Sequence, residues 1–174
     1  DGELNQALPE IAKNLKQAGQ LVREAGMTLA LESDPHVFTT NGAQLVEVVR
    51  TVDLPKVRVL WDPGNDIYDP EGERPFPDGY ELVKDYMVHM HLKDAKRLSD
   101  GTVVGVPLGQ GDVDYVGQFE ALSRDGYSGY VVLETHYRPR HEISDELMAR
   151  PRGSAFSYMG YEATEECLKA WDEL

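Results

Sequence analysis

Apolar residues along the sequence change repeatedly between a helical spacing and a strand spacing. From Leu4 to Val22 they recur at steps of three and four residues, which predicts an amphipathic helix. Pro9 marks either the start of this helix or a kink in it, and Gly26 ends it. Short apolar runs then predict strands, separated by segments with helical spacing. The predicted strands are at 27–32, 57–62, 87–94 and 129–134, and the later helices at 42–52, 78–86, 114–126 and 155–171.

The order of these elements predicts an α/β fold. One helix precedes four strand–helix pairs, and strands that alternate with helices are typical of parallel βα units. The chain has no Gly/Ser linker and no low-complexity tract, so we expect a single domain over residues 1–174. The loops at 63–78 and 135–154 are long and rich in Pro, Gly and charge. They follow strands, which is where α/β folds keep their functional sites.

A polar residue stands at the end of each predicted strand. These residues are Glu32, Asp62, His91 and Glu134. Because parallel strands present equivalent ends at one edge of the sheet, we expect the four side chains to converge there. Three carboxylates packed beside a neutral imidazole repel one another unless a cation lies among them. The pattern therefore predicts a site for one divalent metal ion, and this ligand set suits Mn²⁺, Mg²⁺, Co²⁺ or Zn²⁺ without separating them.

Each of these residues taken alone also has a purely structural interpretation. A carboxylate at a strand end is commonly a helix N-cap, and a lone histidine such as His89 is commonly a hydrogen-bonded core residue. The repetition over four successive strands is what favours the metal site. Alternation along the third strand places Met87 and His89 on the same face as His91. The opposite faces of the strands carry residues suited to packing against helices, namely Leu29, Leu31, Val59, Trp61, Met90, Leu92, Val131 and Leu133.

The charge of the chain argues against a nucleic-acid partner. Its 174 residues include 31 acidic and 17 basic ones, and the formal net charge of -14 repels phosphate backbones. The single cysteine, Cys167, cannot form an internal disulfide, which favours a reducing compartment and predicts a cytoplasmic protein. No apolar run approaches the roughly 18 residues of a membrane span, and the acidic N-terminus is unlike a signal peptide. We therefore expect neither a membrane nor a nucleic acid as partner.

Five motifs make the chain resemble a known family. They are LALE, WDPGN, HMHLKD, PLGQGDVDY and GYVVLE. In this order they resemble the xylose isomerase-like (β/α)8 barrel superfamily, and within it the sugar phosphate isomerase/epimerase group that includes ketose 3-epimerases and inosose dehydratases. The resemblance implies a TIM barrel of which this chain supplies about the last four βα units, preceded by the fourth helix. Since the sequence also opens without Met inside an apparent helix, we expect a fragment that an N-terminal half or an oligomer completes.

The resemblance also implies roles for individual residues. Glu32, Asp62, His91 and Glu134 would bind one divalent metal ion, and Glu32 and Glu134 would form the acid/base pair. The glycine-bearing turn PLGQG either lies beside the substrate or is an ordinary βα turn. Some epimerases carry a histidine where this chain has Asn65, whose amide can still hydrogen-bond a sugar hydroxyl. The residues expected to bind substrate are His36, Asn65, His89, Lys93 and Arg97. His36 is equally well explained as a solvent-facing loop residue. His89 is equally well explained as a residue that supports the metal ligands.

The expected function is that of a divalent-metal-dependent isomerase or epimerase in carbohydrate metabolism, with Mn²⁺ among the candidate metals. Its substrate would be a sugar, a sugar phosphate or a cyclitol, and the reaction would proceed by enediolate proton transfer. Loss of a β-hydroxyl from the same intermediate would give dehydration instead. Two alternatives stay open: a metal-binding fragment without activity, and an endonuclease of the same superfamily that cleaves abasic DNA. The net charge and the presence of only five histidines count against the endonuclease.

Overall fold

Four short parallel strands form the sheet that carries the polar strand ends. The computed structural model describes residues 2–140, 143–150, 153 and 157–174. In this part of the chain the strands of the sheet are β1 (Leu29–Glu32), β2 (Val57–Trp61), β3 (Met87–Leu92) and β6 (Tyr130–Leu133), arranged side by side in that order. Two further strands, β4 (Asp94–Arg97) and β5 (Val103–Val106), pair with each other as an antiparallel hairpin.

Helices connect the strands and cover one face of the sheet. They are α1 (Gly2–Glu24), α2 (Gly42–Val52), α3 (Pro63–Asp66), α4 (Tyr80–Val83), α5 (Tyr115–Arg124), α6 (Asp145–Ala149) and α7 (Gly160–Trp171). Pro9 lies inside α1, and Gly26 follows that helix with a φ of +71°, the conformation glycine adopts most easily. The predicted helix at 78–86 is shorter than expected. The one predicted at 155–171 begins at Gly160, and residues 155 and 156 lie outside the described residues. No helix in the described ranges is long and apolar enough to cross a bilayer.

The main core lies between the sheet and the helices. Val59 and Trp61 of β2 and Met90 of β3 have no exposed surface, as their alternation in the sequence predicted. The residues that complete this cluster come from the helices α2, α4, α5 and α7, including Cys167, and from β3, β4 and the loops between elements. A smaller cluster joins α1 to α2 and β2 through Leu4, Ala12, Val48, Val52 and Val57. The helices therefore cover one face of the sheet and leave the other for the polar strand ends.

A bulge in β3 corrects the predicted facing of Met87. Val59 pairs with Met87, but the next residue of β2, Leu60, pairs with His89, so Val88 is an extra residue in β3. Such an insertion breaks the two-residue alternation of a strand. Met87 therefore faces the core, where it is 9% exposed, and the prediction that it shares the face of His91 is wrong. His89 and His91 still share one face.

The hairpin of β4 and β5 was not predicted, and it separates Asp94 from the strand to which the sequence assigned it. The Asp94 carboxylate accepts hydrogen bonds from the backbone N–H groups of Gly109 and Gly111, at 2.8 and 3.0 Å. Gly109 has a φ of +78°, which a residue with a side chain rarely adopts. The carboxylate thus fixes the PLGQG turn against the hairpin, close to the end of β3.

The sheet face opposite the helices is open over β6. Tyr130 and Val132 pair with His89 and His91 and lie on the same face as these histidines. Tyr130 is 78% exposed and Val132 is 42% exposed. In the described residues, β1 and β6 each have a sheet neighbour on one side alone. The face that carries the predicted ligands is therefore accessible in this structure.

Candidate metal centre

The structure brings the four predicted ligand residues together at one edge of the sheet. Glu32 is the last residue of β1, Asp62 directly follows β2, His91 lies near the end of β3, and Glu134 directly follows β6. The backbone N–H of Glu134 donates to the carbonyl of Leu92 at 3.0 Å, which extends the pairing of β3 and β6 to this position. One oxygen or nitrogen donor from each of the four side chains lies within 4.8 Å of the others.

His91 is the centre of this cluster. Its Nδ1 lies 3.1 Å from Glu32 Oε1, 3.5 Å from Glu134 Oε2 and 3.8 Å from Asp62 Oδ2. The side chain of Asp62 is fully buried, whereas that of Glu134 is 41% exposed. The cluster is thus closed at the bottom and open on the side of Glu134, an arrangement in which a small molecule can reach donor atoms that the protein holds in place.

The two carboxylate oxygens of Asp62 have different partners, so the role as a helix N-cap is confirmed and the role as a metal ligand stays a prediction. Oδ1 accepts a hydrogen bond from the N–H of Gly64 at 2.9 Å and so caps the short helix α3, with Pro63 in its first turn. Oδ2 points to the cluster. Gly64 is needed here because a Cβ at this position would overlap the backbone carbonyl of Lys93. The local sequence WDPGN therefore fixes the orientation of one predicted ligand.

A buried lysine lies against two of the predicted ligands. Lys93 Nζ is 2.8 Å from Asp62 Oδ2 and 2.8 Å from Glu134 Oε2, and its side chain is 2% exposed. The resemblance to the family implied that this lysine binds substrate. Its observed partners are carboxylates, and the role in substrate binding stays a prediction.

The charges in the cluster shift the pKa values of its members. Burial raises the pKa of Asp62 to about 6, although Lys93 opposes this effect. Hydrogen bonds to Glu134 and then to Glu32 raise the pKa of His91 to about 10. The hydrogen bond from His91, followed by the charge of Lys93, holds the pKa of Glu134 well below its usual range. Glu134 is therefore ionised near neutral pH, as a metal ligand or a proton acceptor has to be.

The remaining predicted residues lie at different distances from this centre. Asn65 is buried, and its Nδ2 donates to the Ser33 carbonyl at 2.8 Å and lies 3.4 Å from Glu32 Oε1, so it supports the end of β1. His89 packs edge-to-face on His91 with ring centroids 5.4 Å apart. Burial, and next the charge of His91, lowers the pKa of His89.

His36 and Arg97 have partners outside the cluster. His36 is exposed and its Nδ1 lies 3.1 Å from Asp34 Oδ1, which fits the loop interpretation. The guanidinium of Arg97 donates to the carbonyl of Ile67, and its backbone N–H donates to Asp112 Oδ2 at 2.7 Å. Arg97 therefore ties the hairpin to the segment after α3. Substrate binding by either residue stays a prediction.

Two residues beside the cluster were missed by the sequence analysis. The hydroxyl of Tyr115 accepts a hydrogen bond from the N–H of Lys93 at 2.9 Å and donates to its carbonyl at 2.7 Å. Burial, with the nearby charge of Lys93, lowers the pKa of His136 to about 4. His136 also lines a cavity of about 440 Å³ between the β4–β5 hairpin and the segment after β6. Tyr115 is the last residue of the motif PLGQGDVDY, and His136 lies two residues after Glu134. Neither residue belongs to a sequence pattern that would mark it as functional.

The class of protein follows from comparison with known families. The family model of the xylose isomerase-like TIM barrel matches residues 1–152, and the chain belongs to this family. The four parallel βα units of the structure are part of such a barrel.

Individual relatives agree with this assignment. The chain is 26% identical over 146 residues to an inosose dehydratase of Clostridium perfringens (strain 13 / Type A), covering 74% of the chain and 47% of that protein. It is 25% identical over 131 residues to an L-ribulose-5-phosphate 3-epimerase of Escherichia coli, covering 75% and 44%. The chain thus spans about half the length of the curated relatives it matches.

Solved structures share the fold. A xylose isomerase domain protein from Planctomyces limnophilus superposes with a TM-score of 0.69 at 20% identity, over 94% of this chain and 51% of that one. A structure of the IOLI protein with a binding zinc atom superposes with a TM-score of 0.65 at 19% identity, over 95% of this chain and 55% of that one.

Proposed function

We propose that Glu32, Asp62, His91 and Glu134 bind one divalent cation, and that the protein uses it to enolise a sugar, a sugar phosphate or a cyclitol. The observation that carries this proposal is the convergence of four donor atoms within 4.8 Å of one another. Three carboxylate oxygens and one imidazole nitrogen are ligands that Mn²⁺, Mg²⁺, Co²⁺ and Zn²⁺ all accept. The residues present therefore fit the metal that the resemblance implied.

The relatives support this class of reaction. Their names include dehydratases that act on inosose and an epimerase that acts on L-ribulose 5-phosphate. Both kinds of substrate contain a carbonyl group next to carbons that bear hydroxyls. The zinc atom of the IOLI structure supports a metal in a protein of this fold. Because the chain spans about half of its relatives, the activity is proposed for the whole protein.

The chemistry follows from the side chains that face the open side of the cluster. A bound divalent cation would act as a Lewis acid that polarises the substrate carbonyl. Glu32 and Glu134 would exchange the proton on the neighbouring carbon: one removes it to give the enediolate, and the other returns a proton. Return on the opposite face gives an epimer, and return to the adjacent carbon gives an isomer. Asn65 and His89, which contact Glu32 and His91, would hold these groups in place or meet substrate hydroxyls.

Dehydration is the second candidate outcome, and the inosose dehydratases among the relatives favour it. It needs the same first proton transfer. The enediolate then expels a hydroxyl from the β-carbon, with a proton supplied by the second glutamate. The two outcomes diverge after enolisation, so a test of enolisation comes first.

The test combines metal analysis with hydrogen exchange. The purified protein is expected to bind one divalent ion per chain. It should also exchange the substrate proton next to the carbonyl for deuterium in D₂O, and NMR spectra of ketoses and inososes would record this exchange. Treatment with a chelator should abolish the exchange, and added Mn²⁺ should restore it. Metal binding without any exchange would instead support the inactive metal-binding alternative. Cleavage of abasic DNA would support the endonuclease.

A further inference from the structure

Lys93 provides a cation that belongs to the protein itself, inside the cluster of carboxylates. Its ammonium contacts Asp62 Oδ2 and Glu134 Oε2, each at 2.8 Å. These are the same two oxygens that approach His91 Nδ1, at 3.8 and 3.5 Å. Lys93 therefore lies on atoms that a bound metal ion would also need.

The position of Lys93 is fixed by its surroundings. The buried hydroxyl of Tyr115 accepts a hydrogen bond from the backbone N–H of Lys93 at 2.9 Å and donates one to the Lys93 carbonyl at 2.7 Å. The backbone of Gly64 packs directly on the same carbonyl, at a place where a Cβ would not fit. With a side chain that is 2% exposed, Lys93 is held in the cluster and is not extended into solvent as most lysines are.

The charge of Lys93 changes what the cluster offers to a metal. Glu32, Asp62 and Glu134 supply three negative charges when they are ionised, and Lys93 neutralises one of them. With His91 in the neutral form that a metal ligand requires, the two that remain match a divalent cation. A cation held beside the ligands also repels a second cation, and the strength of this effect rises as burial lowers the effective dielectric constant.

We propose that Lys93 competes with the divalent metal for Asp62 and Glu134, so that it stabilises the metal-free centre and weakens metal binding. This inference rests on the proposed metal site. The alternative is that Lys93 only positions the carboxylates for the metal. The two roles differ in sign: loss of a competitor strengthens metal binding, whereas loss of a positioning residue weakens it.

The test measures Mn²⁺ affinity and thermal unfolding in two neutral variants, Lys93→Met and Lys93→Gln. We expect each variant to bind Mn²⁺ at least tenfold more tightly than the wild type by calorimetry. Each should also unfold at a lower temperature without metal, and gain more in unfolding temperature from saturating Mn²⁺. Lys93→Gln can still donate a hydrogen bond to a carboxylate. If Lys93→Met does not fold without metal, the Mn²⁺ affinity is therefore taken from Lys93→Gln.

A matched control is Lys84→Met, because Lys84 pairs with Glu81 and Asp125, at 2.7 and 3.5 Å, outside the cluster. It removes the same charge and should leave the Mn²⁺ dissociation constant within twofold. Unchanged or weaker Mn²⁺ binding by both Lys93 variants would overturn the competition while leaving the metal site intact. A wild-type protein that binds no divalent ion would overturn the inference together with the proposed function.

Discussion

Asp62 and Lys93 form a buried ion pair in which Lys93 Nζ lies 2.8 Å from Asp62 Oδ2, and their side chains are 0% and 2% exposed. The pair connects the ends of β2 and β3 in the floor of the cluster. Asp62 also caps α3 through its other oxygen. A buried pair is costly to separate, because loss of one member leaves the other charge without compensation in a medium that solvates it poorly.

Substitution of Asp62 by alanine should destabilise the metal-free protein strongly. Asp62→Ala leaves the ammonium of Lys93 with Glu134 alone and removes the cap of α3. We expect the free energy of unfolding to fall by about 3–5 kcal/mol, measured by urea denaturation. The control is Asp78→Ala, which breaks the exposed pair with Arg74 and should change it by less than about 1 kcal/mol. Equal effects of the two variants would contradict the importance of burial.

Substitution of Glu134 by glutamine should separate metal binding from proton transfer. The amide of Glu134→Gln keeps an oxygen for the cation but is no longer a useful base. We expect turnover to fall by a factor of about 100 or more, while the metal is retained at reduced affinity. Deuterium exchange and metal content are measured on the same samples, with the exposed Glu120→Gln as control. Turnover within a few-fold of the wild type would remove Glu134 from the acid/base pair.

Asp66 should make the stability of the protein fall as the pH rises. Its carboxyl is 2% exposed, and burial, with the charges of Glu73 and Asp62, raises its pKa well above the ordinary value. Because the folded state then binds this proton more tightly than the unfolded state, ionisation above about pH 4 disfavours folding. The gain in unfolding free energy from Asp66→Asn should therefore be larger at pH 8 than at pH 4.

The matched control for this measurement is Asp85→Asn, which makes the same chemical change at an exposed position. Its effect on the unfolding free energy should be smaller than that of Asp66→Asn at pH 8. If the difference between Asp66→Asn and the wild type did not grow between pH 4 and pH 8, the raised pKa of Asp66 would be refuted.

The open sheet face should make the 174-residue chain associate in solution. Tyr130 is 78% exposed and Val132 is 42% exposed, and burial of a large apolar side chain contributes about 1.5–3 kcal/mol. Sedimentation velocity should show a mass above 19.5 kDa that grows with concentration, and Tyr130→Lys should reduce it. A compact monomer with cooperative unfolding would show that this face needs no cover.

Much of the fold could be predicted from local patterns. The apolar spacing gave α2 with the bounds that the structure has, and each strand of the parallel sheet lies within a predicted segment. The burial of Val59, Trp61 and Met90 followed from alternation alone. These features depend on neighbours in sequence, because helix and strand each impose one period on the side chains they bury.

The convergence of Glu32, Asp62, His91 and Glu134 was also within reach of the sequence, since parallel strands end at a common edge. The contacts that these four side chains make could not be predicted from the sequence. The bulge at Val88 sets which residues of β3 meet β2, and it depends on pairing between strands that are about 30 residues apart. Local periodicity contains no signal for such a register shift.

The sequence by itself therefore determined the order of helices and strands and the edge at which the polar residues gather. The tertiary structure alone decided that Lys93 turns inward onto Asp62 and Glu134, and that Tyr115 and Gly64 hold it there. A lysine after a strand is usually solvated, because burial of its charge is costly. Only the fold supplies the two carboxylates that compensate for this cost, from the ends of two other strands.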